Sequence, residues 1–241
     1  MKTSFSKAAR ATLILAGATF CLMTLSAVLL IKEPLKVLQF LPLYISLCVM
    51  FLQSRVSRIG PFVGSLNSVL YGVVFIYCGI YASAASALLF SFPLQLLTFL
   101  RWRKSPWENS TVFRRMKGWQ RGLLALGLAG VWGGAVLLFR AVGSSYALPD
   151  TAGLVLGTAS TVLMMLSFLE YIYLQLLSGC VSVLLYSLMI AQTPELLPFL
   201  IYAVYSLFCM GMAAVRVHQL YRAQQATCKV VLQPEEKEPV R

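Results

Sequence analysis

Apolar runs, each close to the ~20 residues that an α-helix needs to cross ~30 Å of hydrocarbon, follow one another along almost the whole of this chain. No other feature restricts the fold so severely. Lipid offers no partner to a backbone N–H or C=O, so only helices and closed barrels satisfy every such group internally. Eight runs can be drawn, at roughly 11–31, 37–53, 61–81, 84–102, 120–140, 150–168, 171–191 and 196–216. A transmembrane barrel would instead show segments of about ten residues with alternating polarity, and the sequence has none. The expected fold class is all-α, a polytopic membrane protein of about eight transmembrane helices. Composition agrees, since 59% of the 241 residues are hydrophobic and 12% are charged, against roughly 25% charged in a soluble domain.

The first run follows Lys2, Lys7 and Arg10 and in that respect imitates a signal peptide. It is too long for an h-region and no small-residue cleavage site closes it, so it reads as a retained helix. Between the runs stand helix-ending hinges: Lys32-Glu33-Pro34, Arg58-Ile59-Gly60-Pro61, Leu148-Pro149-Asp150 and Thr193-Pro194-Glu195. The net charge of +12 could suggest a nucleic-acid partner, but the basic residues sit at the ends of apolar runs, a topological pattern. With the N-terminus in the cytoplasm, seventeen of the twenty Lys and Arg residues fall inside and only Lys32, Lys36 and Arg140 outside. The positive-inside rule therefore predicts that both termini are cytoplasmic in a multi-pass cell-membrane protein, and an even number of spans follows.

The long polar loop from Arg103 to Gln120 divides the chain. Sliding residues 37–102 onto 150–216 by roughly 113 to 115 positions superposes the hinges and brings Leu70-Tyr71 onto Leu185-Tyr186. Two triplets of helices in one chain point opposite ways unless a single helix intervenes, and the glycine-rich fifth run supplies that inversion. The expected arrangement is 1+3+1+3: an N-terminal helix (1–36), a first triple-helix repeat (37–104), a cytoplasmic loop and inversion linker helix (105–149), a second parallel repeat (150–217) and a cytoplasmic tail (218–241) expected to be disordered. Within the apolar runs, Gly130/Gly134 and Gly153/Gly157 have the spacing that lets helices approach closely, either inside the molecule or between copies.

Polar residues at membrane depth are costly unless they face a cavity or another helix, so their helical spacing is informative. In the seventh run Tyr171, Gln175, Ser178, Ser182 and Tyr186 recur at steps of four, three, four and four. The fourth run repeats this with Ser91, Gln95, Thr98 and Trp102, interrupted by Pro93. Gly64, Asn67 and Tyr71 share a face of the third run, and Tyr202, Tyr205 and Ser206 one of the eighth. The plain reading is interhelical hydrogen bonding, worth ~0.6 to 2 kcal/mol per bond. The sharper one is a central cavity whose amides fork onto hydroxyls and whose rings stack on a flat solute.

Energy coupling is not legible. No Walker A sequence is present, and Asp150 and Glu195 belong to expected outside hinges. Glu170 is the one acid placed to relay a proton, but it stands at a helix start where a carboxylate caps the positive end, worth ~0.3–1 kcal/mol when exposed. The cysteines at positions 21, 48, 78, 180, 209 and 228 form no CxxC and His218 is the only histidine. No metal site, disulfide framework or cofactor is indicated. No nucleophile and base pair up near the stripes, so no catalytic residue and no enzyme is expected.

The segments YASAASALLFSFPLQLLTFLRW and SFLEYIYLQLLSGCVSVLLY resemble the PnuC-type transporters of vitamin precursors, chiefly nicotinamide riboside, over roughly residues 40–217. The resemblance implies a repeat architecture similar to the SWEET sugar transporters with an added N-terminal helix, and facilitated diffusion of the riboside, trapped by phosphorylation in the cytoplasm. Gln95 matches the glutamine of the family's first motif and Trp102 its closing tryptophan. Glu170 matches the glutamate that opens the second, and Tyr202 and Tyr205 fall on aromatic positions of its last helix. Taken with the stripes, the expected substrate-binding set is Asn67, Tyr71, Gln95, Thr98, Trp102, Glu170, Tyr171, Gln175, Ser178, Tyr202 and Tyr205. Departures stand at Ile172 and Gln175, where the family commonly has tryptophans, at Gly179 for its Asn or Asp, and at Thr98-Phe99 for its Gly-Trp pair. Thiamine, another flat vitamin or a deoxynucleoside remain alternative cargoes, and a non-transporting receptor or assembly protein the alternative class. By analogy a homo-oligomer, a trimer, is expected in the bilayer.

Overall fold

Among the described residues, eight α-helices overlap the eight apolar runs, with ends that differ from them by up to about sixteen residues. The computed structural model describes residues 2–30, 40–77, 84, 87–141 and 147–232. The helices are α1 (Lys2–Leu30), α2 (Leu41–Ser54), α3 (Ile59–Tyr77), α4 (Phe92–Lys104), α5 (Gly118–Ala141), α6 (Ala147–Met165), α7 (Tyr171–Ile190) and α8 (Leu197–Leu232). Six stretches among them are long and apolar enough to cross a membrane, and α2 is a shorter apolar helix. A π-helical turn, Ala87–Ser91, leads into α4. The turn ends just before Pro93, which lacks an N–H for the ladder and is tolerated in the first turn of the helix that follows. The hinge Lys32-Glu33-Pro34 lies outside the described residues.

The exterior is apolar. Ile14 is 73% exposed and Leu126 likewise 73%, an arrangement that lipid tolerates and water does not. Inside, α2, α3 and α4 pack consecutively, as do α6, α7 and α8. The two groups meet along α4–α6 and α2–α8, with α1 against α8 and α2, and α5 chiefly on α6. One buried cluster, including Val56, Phe113, Ile172 and Val217, lies at the end of the bundle that carries the α4–α5 loop. A second, including Met23, Leu43, Met50 and Cys209, joins α1, α2 and α8.

Glycine plays different parts in different helices. A Cβ at Gly153 or Gly157 would meet Val181 and Ser178 of α7, so these two lie at the α6–α7 contact, as their spacing suggests. At Gly130 and Gly134 a Cβ would meet nothing within 4 Å among the described residues, so no internal contact among these calls for a glycine there.

The expectation of a disordered tail over 218–241 is corrected for residues 218–232, and residues 233–241 lie outside the described ones. α8 continues without a break to Leu232, and Val217, Leu220 and Gln224, which share one helix face, are all buried. That face packs on the α4–α5 loop, which supplies the surface that the tail, viewed as an isolated segment, lacks.

Candidate functional site

Polar side chains on α2, α3, α4, α7 and α8 converge on the seam between the two helix groups in two layers. The layer nearer the α4–α5 loop is built around an amide pair, Gln175 Nε2 donating to Gln53 Oε1 at 3.1 Å. The pair ties α7 of one group to α2 of the other. Around it Met50, Trp102, Met164, Tyr171 and Cys209 close a cavity of about 10 Å³, roughly the space of a single water. Trp102 is 2% exposed, and its Nε1 donates to Met164 O at 3.0 Å, a second bond between the groups. Met164 O also accepts from Ser167 N–H at 3.0 Å, so Trp102→Phe removes one bond without orphaning the carbonyl and should lower stability by about 0.5–1.5 kcal/mol, read as a lower unfolding midpoint in detergent.

The second layer is centred on Ser46 of α2. Asn67 Nδ2 donates to Ser46 Oγ at 2.8 Å and the Tyr71 hydroxyl lies 3.4 Å from the same oxygen. Tyr202 of α8 lies close to Ser46, Tyr71 and Tyr186. Beside this group Gln95 of α4 reaches α3, its Nε2 donating to Ser68 Oγ at 3.1 Å. Gly64 makes that approach possible, because a methyl group there would collide with Gln95 Oε1. Gly64, Asn67, Ser68 and Tyr71, at steps of three, one and three, thus form one face of α3. Asn67 Oδ1 and Gln95 Oε1 are buried acceptors that find no donor among the described residues.

Other members of the expected set lie elsewhere. The stripe on α7 splits: Tyr171 and Gln175 face the cavity, whereas Ser178 Oγ donates to Gly153 O of α6 at 3.3 Å. Ser182 bonds back to Ser178 O, and Tyr186 stacks on Phe199. A polar stripe wider than one neighbour's contact faces two helices at once. Thr98, wholly buried, bonds back to Leu94 O at 2.7 Å. Tyr205 donates to Leu47 O at 3.3 Å. At Gly179 a Cβ would press on Met210 Sδ and Leu207 Cδ1 at 3.0 and 3.1 Å, so α8 fills the space that a larger residue would need.

Glu170 occupies the N-cap position of α7 but makes no side-chain capping bond, so capping is corrected as its role. Its Oε1 accepts from Arg121 Nη2 at 2.7 Å and Nε at 3.0 Å, and both oxygens lie near Met116 N–H, at 3.1 and 3.2 Å. The carboxylate serves the α4–α5 loop because α7 starts directly beneath it. Ser46, Gln53 and Ser68 are site residues that the stripe reading did not single out. Ser46 and Gln53 are seven apart, two turns along one face of α2, a signal that was legible in the sequence.

A larger groove of about 1190 Å³ lies between α4, α5 and α6. Its walls, among them Leu94, Leu123, Leu128 and Leu154, are apolar, and much of α5 beside it is exposed. It offers few groups for recognising a polar solute. Among the described residues no group of three or more His, Cys, Asp or Glu could hold a metal ion.

Comparisons with known proteins bear on the fold and the family. A crystal structure of the vitamin B3 transporter PnuC superposes with a TM-score of 0.69 at 17% identity, over 88% of this chain and 90% of that one. The two therefore share a fold. No match was found among curated proteins. The family description "nicotinamide mononucleotide transporter" matches residues 36–215, which include both layers of the seam. The chain belongs to the nicotinamide mononucleotide transporter family.

Proposed function

We propose that this protein is a facilitative transporter of a nicotinamide-riboside-like vitamin precursor, with both termini in the cytoplasm and the cargo trapped there by phosphorylation. The observation that carries the reading is the seam itself. Two buried acceptors without donors among the described residues, Asn67 Oδ1 and Gln95 Oε1, stand beside a hydroxyl and tyrosine cluster and above an amide pair that joins the helix groups. Buried orphan acceptors are unfavourable, and a cargo bearing hydroxyl and amide N–H donors relieves them. A cavity of about 10 Å³ admits no such solute, so this conformation is closed and the cargo enters only when the groups part. Uniport is supported by Glu170, whose carboxylate is taken up by Arg121 and Met116 and is no free proton relay.

Saturable uptake of labelled nicotinamide riboside into proteoliposomes tests the reading. Gln95→Ala and Gln175→Ala should each raise the half-saturating concentration roughly ten-fold, the effect of losing one or two hydrogen bonds at a desolvated site. Uptake that never saturates, or that ignores both changes, would sink it. A panel of thiamine, other flat vitamins and deoxynucleosides, ranked by thermal stabilisation, separates the cargoes, because a ligand of the folded state raises its apparent stability. Gln175, where the family commonly carries a ring, is the residue expected to set that ranking. A second reading, a receptor that uses the polar seam only for packing, predicts no stabilisation by any of them.

A further inference from the structure

The segment between α4 and α5 is strapped across the loop end of the bundle and bonded to both helix groups. On one side Arg58 N–H donates to Asn109 O at 2.9 Å, fastening the short hairpin of Pro106–Trp107 and Ser110–Thr111 to the α2–α3 turn. On the other, Arg114 N–H donates to Ser167 O and Leu169 N–H to Arg114 O, each at 2.8 Å, on the α6–α7 turn. Gln224 of α8 grips the middle: Nε2 donates to Thr111 O at 2.9 Å and Oε1 accepts Phe113 N–H at 3.0 Å. A glutamine that is 9% exposed thus commits both polar atoms to the backbone of a connecting loop. These bonds drive the Phe113 ring inward, where it meets Trp102 edge-on at 5.9 Å and stacks on Tyr171 at 6.2 Å. Trp102 and Tyr171 are the two rings that line the cavity beneath the Gln53–Gln175 pair.

We propose that Phe113 is the inner gate of the solute path and that Gln224 is the residue that positions it. The inference rests on the transport reading and on its orientation, which makes this end cytoplasmic. Any motion that parts the helix groups here must break the strap's bonds on one side or the other. While Phe113 stays seated, Trp102 and Tyr171 have no space into which to swing, and the cavity stays shut. Withdrawing one ring frees both. Of the strap's apolar residues Phe113 is buried in the cluster and Trp107 and Met116 only partly so, which leaves discrete hydrogen bonds, exchangeable for water one at a time, to hold much of its seating.

Cys209 is a built-in reporter, since it lines the cavity and is 0% exposed. With the other five cysteines replaced by serine, its reaction with a membrane-impermeant thiol reagent is followed from each face of oriented vesicles. Phe113→Ala and, independently, Gln224→Leu should speed labelling from the cytoplasmic face about ten-fold, the shift in a closed–open equilibrium expected from losing two hydrogen bonds or one packed ring. Labelling from the outer face should not change, and Phe113→Leu, which keeps an apolar plug, should restore most of the parent's slow rate. No acceleration from the cytoplasmic face in either variant overturns the gate, and so does equal acceleration from both faces, which marks general loosening. The readout needs no cargo, so an uptake assay that fails while labelling responds refutes the transported species and leaves the gate standing.

Discussion

Gly64→Ala should cripple uptake while leaving the protein folded. The added methyl occupies the position of Gln95 Oε1, so the amide must leave its bond to Ser68, and a donor and an acceptor are lost together from the seam. An effect of roughly ten-fold on apparent affinity, like that of Gln95→Ala, follows from losing one or two hydrogen bonds of a desolvated site. Helix propensity runs the other way, with alanine favoured over glycine by about 1 kcal/mol, so the thermal midpoint should change little. The decisive measurement is the double substitution. In a Gln95→Ala background the methyl meets no amide, and Gly64→Ala should add almost nothing to the loss, a coupling that distant sites do not show. Parent-like uptake by Gly64→Ala would remove Gln95 from the site.

Glu170→Gln should be the most destabilising polar substitution at the loop end. The Glu170 side chain is 9% exposed and that of Arg121 41%, so the pair is only partly screened. Removing the charge weakens the bonds from Arg121 and from Met116 N–H together. Hydrogen bonds to charged groups are worth about 1.5–3 kcal/mol, and the exposure of Arg121 puts the expected cost near the lower end of that range. Arg121→Ala should cost less, because Glu170 still accepts from Met116. Urea or thermal unfolding in detergent ranks the three proteins, and equal losses would mean that the backbone bond contributes nothing.

How far the sequence could be read depended on the range of the interaction concerned. Helix positions in lipid are governed by local hydropathy, and the runs at 61–81, 171–191 and 196–216 correspond to α3, α7 and the membrane part of α8. Gln175 and Trp102 were legible because a costly polar or amphipathic group at depth calls for a partner, and both line the cavity. Ser178 and Thr98 looked equivalent to them by spacing, yet one bonds α6 and the other its own helix. Hydroxyls satisfy themselves on the i−4 carbonyl at little cost, so their spacing carries less information than that of an amide.

Residues far apart in sequence were beyond that kind of reading. Local sequence assigns Gln224 to a disordered tail and Phe113 to a polar loop, because neither has a local reason to be buried. Each is buried through the other, 111 positions away in the chain. Its own helix end makes Glu170 a cap, whereas its partners, Met116 of the α4–α5 loop and Arg121 in the first turn of α5, come from a different part of the chain.

The sequence by itself determined that the chain lives in a bilayer, that it does so as helices, and roughly which stretches form them, because lipid penalises every unpaired backbone group and every charge within a single span. The tertiary structure alone decided which polar groups meet: Gln53 with Gln175 across the seam, Asn67 with Ser46, and Gln95 with the gap that Gly64 leaves. Those pairings depend on how helices from different parts of the chain are rotated and packed against one another, and helical spacing specifies a face without saying which neighbour it will meet.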